Sequence, residues 1–385
     1  MIQISKPSEC CGCGACTIKC PKNCIQLKPD KQGFLYPSVD QEMCVNCGLC
    51  EKVCPIINSR ELQTKDAPRA YAAYAQNSDV RISSSSGGIF TLLAREILDQ
   101  GGCVFGVVYD EDFSVHHIGA DRLEALELLK GSKYIQSRTE ETFSQVKKML
   151  DSGKTVLYSG VSCQISALKL YLGKDYDNLY TVDVLCHGVP SPALWKRYLE
   201  EKEKEYSSKA KFVNFRSKDF GWKKFSLKIE FENGKVYIRD LDEDLFMRFF
   251  LKNICLRPSC YDCQFKDIIN RQSDITIGDA WGIDSHMPDM DDDKGTSVVI
   301  IHSNKGDKWF RQAAKETTIK SCELDTILPP TADSRKSVKP HPNREKFFRH
   351  FAQGESTQQL ERFLRFPLMF RIKRKAKNIM KKFSR

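Results

Sequence analysis

The chain has 385 residues, 41% hydrophobic and 29% charged, enough for a small module and one or two domains with cores of their own. Its net charge is +10, but residues 371–385 hold eight cations and no acid, which leaves +2 for the rest; a near-neutral body gives nucleic-acid binding no support. No apolar run approaches the roughly 18–20 residues that span a bilayer, and residues 1–9 lack the basic start and apolar core of a signal peptide, so the seventeen cysteines are read as free thiols in a reducing cytoplasm.

Cys10, Cys13, Cys16 and Cys20 are spaced C-x2-C-x2-C-x3-C with Pro21 next, and Cys44, Cys47, Cys50 and Cys54 repeat that spacing with Pro55 next. Thiolates are soft ligands that suit iron–sulfur clusters or zinc. In the bacterial two-cluster pattern, three cysteines of one run hold one 4Fe-4S cubane and the fourth serves the other. The predicted sets are therefore Cys10, Cys13, Cys16 and Cys54 for one cluster, and Cys44, Cys47, Cys50 and Cys20 for the second. Two structural zinc sites are the alternative, but those use separate C-x2-C knuckles and have no need of Cys-Pro. Between the runs, Ile25 to Leu27 and Phe34 to Val39 are predicted as short strands turned by Asp30 to Gly33. Cys11 and Cys24 fall outside the register and read as bystanders. Residues 1–56 thus form a ferredoxin-type domain, and polar residues 57–69, ending Ala67-Pro68-Arg69, a linker.

From residue 70 strands and helices alternate. Ala70 to Ala75 is a predicted strand, followed by Ser84-Ser85-Ser86-Gly87-Gly88 and a helix whose Ile89, Leu92, Leu93, Ile97 and Leu98 recur at helical spacing up to Gly101-Gly102. A strand over Cys103 to Tyr109 and helices over Arg122 to Leu129 and Glu140 to Asp151 come next. Strands Thr155 to Tyr158 and Tyr180 to Leu185 lead into Cys163 and Cys186-His187-Gly188, and Pro192 opens a helix to about Lys204. This alternation predicts a mixed, largely parallel α/β sheet over residues 70–340. Within it, Phe225 to Phe231 and Lys235 to Ile238 flank Asn233-Gly234, a hairpin inserted in the domain. A helix near Leu245 to Leu251, strands over Asp274 to Asp279 and Thr296 to His302, and a helix over Lys305 to Ala314 complete it. Residues 341–385 read as a basic, aromatic tail suited to an anionic membrane surface, an acidic partner, or solvent as a frayed helix.

Cys163 and Cys186 each follow the carboxyl end of a predicted strand, and in a parallel sheet such ends share one edge. With the Cys260-x2-Cys263 knuckle they make a candidate third 4Fe-4S site. The alternatives are two buried apolar thiols, zinc on the knuckle alone, or a nucleophile at Cys163. Ser84, Ser85, Ser86, Gly87 and Gly88 open a helix whose free amides suit a pyrophosphate, although such runs also serve as plain turns and caps. His187 is a candidate proton donor or a satisfied structural histidine. The Asp289 to Asp293 run lacks the regular ligand spacing of a calcium loop.

Taken together, Ser86-Gly87-Gly88, Gly131-Ser132-Lys133-Tyr134, Cys163-Gln164, Cys186-His187-Gly188, Cys260-x2-Cys263 and Ser273 to Asp279 give a resemblance over roughly residues 1–300. The chain resembles the beta-subunit family of coenzyme F420 hydrogenases and dehydrogenases, fused to an N-terminal two-cluster ferredoxin. The resemblance implies FAD, with Lys133, Tyr134 and Gln136 as candidate contacts to its flavin unless Lys133 is an ordinary exposed lysine, and a core 4Fe-4S cluster on Cys163, Cys186, Cys260 and Cys263. It implies an oxidoreductase that takes electrons from a ferredoxin or partner protein and passes them through FAD to a small-molecule or coenzyme acceptor. A non-catalytic electron carrier serving a partner enzyme is the competing reading.

Overall fold

The structure, a computed structural model, describes residues 1–59, 67–139 and 141–366. Strands β1 (Ile25–Pro29) and β2 (Leu35–Val39) form the expected hairpin. Its turn is held by the Asp30 carboxylate, which accepts from the amides of Gln32 and Phe34. The repeated cysteine spacing becomes a repeated shape: short helices Ala15–Lys19 and Leu49–Lys52 are each opened by a left-handed glycine, Gly14 and Gly48. Only glycine takes that backbone without strain.

Beyond the linker, β3 (Arg69–Ala75), β4 (Cys103–Tyr109), β5 (Val115–Ala120), β6 (Val156–Val161) and β7 (Leu179–Val184) belong to an eight-stranded sheet. Strands β8 (Ala210–Ser217), β9 (Ser226–Phe231) and β10 (Val236–Asp240) leave it to form a separate antiparallel sheet. The chain returns with β11 (Ile275–Asp279), β12 (Ser297–Ile301) and β13 (Thr317–Cys322), giving the order β13-β3-β12-β11-β7-β6-β4-β5. The neighbours β4, β6, β7 and β11 run parallel, and the remaining pairings are antiparallel. One face is covered by helices Ile89–Asp99 and Asn304–Ala313. The other carries Thr142–Asp151 and Ser162–Leu172, and onto these the ferredoxin domain packs, burying Ala15 and Val53 beside Phe143 and Ile165. Lys19 donates to the Tyr171 carbonyl and Thr139 to that of Cys13, so the two parts share both core and hydrogen bonds.

The largest core is aromatic and lies between β8–β10 and helices Pro192–Tyr206, Leu245–Leu251 and Arg344–Ala352. This corrects the boundary at residue 341. Phe347, Phe351, Leu360 and Leu364 are buried in that core, so residues 341–366 are part of the domain, and the cations between them masked an amphipathic pattern. The cationic stretch 371–385 lies outside the described residues. β5, β8 and β13 escaped the sequence reading because each is an edge strand, with one side free of a ladder partner and a thin apolar alternation. No helix among the described residues is long and apolar enough to cross a membrane.

Candidate redox site

The eight N-terminal ligand candidates sort into two groups. Cys10, Cys13, Cys16 and Cys54 line one open-sided space, with Cys11 among them. Cys20, Cys44, Cys47 and Cys50 line a second, with Cys24. The structure thus brings together the sets expected from spacing, including the exchange of the fourth cysteine between runs. Among the described residues no three ligating side chains converge as they would on a single metal ion. Amides point into these spaces: Gly12 donates to Cys10 Sγ at 3.4 Å and Ile2 to Cys50 Sγ at 3.3 Å. The two sets adjoin. Burial first, then the charges of Cys10, Cys54 and Cys50, raise the Cys16 thiol.

Cys163 and Cys186 stand where their strands put them. β6 and β7 are parallel with Val161 opposite Val184, and each thiol lies two residues beyond that pair. Cys260 and Cys263 arrive on the 3-10 turn Pro258–Asp262 and its exit. Burial and the neighbouring Cys186 push Cys260 up to about 12, and burial and Cys186 also raise Cys263 to about 11, so the four thiols are one neighbourhood. Cys11 is not a bystander. It lines the same space as the first set and lies near Cys163 of the core set. Cys24 lies 3.4 Å from Cys20, sulfur to sulfur. Cys255 is buried and packed in the aromatic core.

A buried carboxylate holds this sheet edge. Asp183, on β7, accepts from Ser162, Arg271, Ser273 and Thr276, tying the start of helix Ser162–Leu172 to β7 and β11. That accounts for the Ser273 to Asp279 motif as architecture. Gln164 does likewise, capping the Val161 amide and donating to Ser137.

Of the residues named for a flavin, Ser85 and Tyr134 meet in one network around Arg216. The Ser132 amide donates to Ser85 Oγ, and Arg216 donates to the Ser85 carbonyl, to Tyr134 and, bidentately, to Asp279. Arg216 is buried and its Nε has no partner; Trp281, exposed, lies over it at 5.3 Å. Helix Ile89–Asp99 begins here with no side-chain cap on its amides, so an anion fits the corner. Other details have internal reasons. A Cβ on Gly87 would meet the Ala73 carbonyl at 2.5 Å, so that glycine permits contact with β3. Ser84 and Ser86 donate to the carbonyls of Val80 and Thr296. Lys133 donates to the carbonyls of Leu128, Lys130 and Gly131, and burial lowers it to about 8. Gln136 is bonded to Gly12 and Arg257, at the ferredoxin junction. His187 meets Asn253 Oδ1 at 2.7 Å, and burial lowers its pKa, leaving it neutral near pH 7. Its ring abuts Phe250, whose other neighbour is Tyr134 at 4.9 Å. Arg216, Arg257 and Asp183 were not singled out from sequence, since none belongs to a spacing pattern, and Cys11 was set aside because it falls outside one.

A family model for the C terminus of the coenzyme F420 hydrogenase/dehydrogenase beta subunit matches residues 153–327, and one for a 4Fe-4S dicluster domain matches residues 9–56. The chain is 20% identical to a subunit of the F(420)H(2) dehydrogenase of Methanosarcina mazei over 331 residues, 82% of this chain and 86% of that protein. It is 25% identical to the coenzyme F420-dependent sulfite reductase of Methanocaldococcus jannaschii, over 80% of this chain and 46% of that protein. Among solved structures, a chain of the F420-reducing [NiFe] hydrogenase complex from Methanosarcina barkeri aligns with TM-score 0.46 and 18% identity, over 77% of this chain and 91% of that one.

Proposed function

We propose a role that starts from one premise: the chain belongs to the coenzyme F420 hydrogenase/dehydrogenase beta-subunit family and carries a 4Fe-4S dicluster domain ahead of that region. It is an iron–sulfur redox protein. In our reading it takes electrons from a ferredoxin or partner protein and hands them to a small-molecule or coenzyme acceptor, in a reducing compartment that keeps its thiols free. Cys10, Cys13, Cys16 and Cys54 hold one cluster, Cys20, Cys44, Cys47 and Cys50 a second, and Cys163, Cys186, Cys260 and Cys263 a third. Ser85, Arg216 and the amides after Gly88, at the uncapped helix start, would hold the diphosphate of FAD. Bound clusters supply one-electron storage, and a bound flavin the exchange between single electrons and an electron pair.

One observation carries this reading: the thiol sets adjoin. Cys50 and Cys16 share an apolar cluster, Cys11 at the first set lies near Cys163, and next to Cys186 the ring of His187 abuts Phe250, which abuts Tyr134. The chain's own work is to fix these positions. Asp183 holds the edge on which Cys163 and Cys186 stand. The carrier reading without flavin draws on a different observation, the engagement of Ser84, Ser86 and Lys133 with backbone carbonyls. A single experiment separates them. Protein loaded anaerobically with iron, sulfide and FAD is gel-filtered and mixed with reduced bacterial-type ferredoxin. Retained flavin that bleaches is the expected result. Flavin that elutes separately, or stays oxidised while the clusters are reduced, rejects the flavoenzyme.

A further inference from the structure

The loop ahead of the knuckle carries an arginine that the route described above leaves without a role. Arg257 is fully buried, at 0% exposure. Its guanidinium donates to three neutral oxygens: the carbonyl of Cys10 at 2.7 Å, Gln136 Oε1 at 3.0 Å and the carbonyl of Leu35 at 2.9 Å. The Tyr36 ring lies 4.4 Å from it. None of these partners carries an opposing charge, and a cation held away from water needs one. The other buried guanidinia near the sheet edge and cleft obey that rule, Arg271 on Asp183 and Arg216 on Asp279.

What lies next to Arg257 is the first thiol set. Gly12, inside the Cys10–Cys13 loop, is so close that a Cβ there would meet Nη1 at 2.8 Å. We propose that Arg257 is the internal counter-ion of the anionic cluster held by Cys10, Cys13, Cys16 and Cys54, and that it raises that cluster's reduction potential. This rests on the ligand assignment proposed above. A four-thiolate cubane is anionic and gains a further negative charge on reduction, and its potential follows the surrounding charge and hydrogen bonding. A fixed cation in a low-dielectric position favours the reduced form, by tenfold or more when it is a few ångströms away. Arg257 also joins the two parts of the molecule, so the cation that would favour the reduced cluster sits where the ferredoxin domain meets the core.

The test is a redox titration followed by electron paramagnetic resonance on full-length, iron-loaded protein. The wave lost in Cys13→Ala identifies the first set, and its absence from the parent protein would reject the ligand assignment rather than this proposal. In Arg257→Gln that wave should move to lower potential by a tenfold change in the oxidised-to-reduced ratio or more, about 59 mV for one electron. The wave of the Cys20, Cys44, Cys47 and Cys50 set should stay in place. Arg257→Lys, which keeps the charge and loses the fork, should stay within about threefold of the parent. An unmoved wave in Arg257→Gln with iron intact overturns the proposal, as does an equal shift in both variants, which marks a tether whose charge is immaterial. Should Arg257→Gln fail to keep its iron, Arg257→Lys decides alone: a shift within threefold supports the counter-ion, and a larger one overturns it.

Discussion

Single residues divide here by what their surroundings do to charge. His117 is buried, stacked on Tyr158, with Nε2 on the Ser159 carbonyl, and burial lowers its pKa to about 4. Its folded value is below the unfolded one of about 6.5. The neutral ring therefore contributes stability that is complete above pH 6.5 and lost as pH falls toward 4. Against His117→Gln, the parent should lose about 2 kcal/mol between pH 7 and pH 5 in denaturant unfolding. An unchanging difference would mean that His117 is already protonated or is reached by water. The core thiols make a second residue-scale test. Cys260→Ala should remove one cluster and leave two, so iron falls from about twelve to about eight per chain; unchanged iron would remove Cys260 from the ligand set. The two N-terminal cysteine runs were legible because one spacing is written twice, and the structure places their thiols around two spaces. Cys11 was not, because its place depends on a contact with Cys163, 152 positions away.

Among elements, the sheet edge formed by β6, β7 and β11 sets the positions of Cys163 and Cys186, and Asp183 locks it. Asp183→Asn leaves Arg271 buried without its carboxylate, which should cost about 3–5 kcal/mol. Thermal unfolding of the variant should show that loss, and a difference under about 1 kcal/mol would assign the edge to packing alone. The expectation that both thiols share an edge held, since parallel strands of similar length end together. Helices with clear apolar periodicity, such as Ile89–Asp99, also matched. Edge strands β5, β8 and β13 did not announce themselves, nor did helix Arg344–Ala352, whose phenylalanines stand among cations. In the cleft, the Ser-Ser-Ser-Gly-Gly run was conspicuous, but its glycine at 87 answers to β3, and the arginine beside it came from a strand with no motif.

At the scale of the molecule, the ferredoxin domain is seated on the core. Ala15 and Val53 lie in the same apolar cluster as Tyr158 and Leu168, and Arg257 reaches across the junction to Cys10 and Leu35. This seating sets the first thiol set against the core that carries Cys163, and the proposed electron route requires all three sets to be loaded. The most direct measurement is iron, sulfide and acid-released flavin per chain on anaerobically purified protein. About twelve irons, as three four-iron clusters give, with one FAD is the expected result. About eight irons and no flavin, even after reconstitution with FAD, would contradict the account and leave a two-cluster carrier.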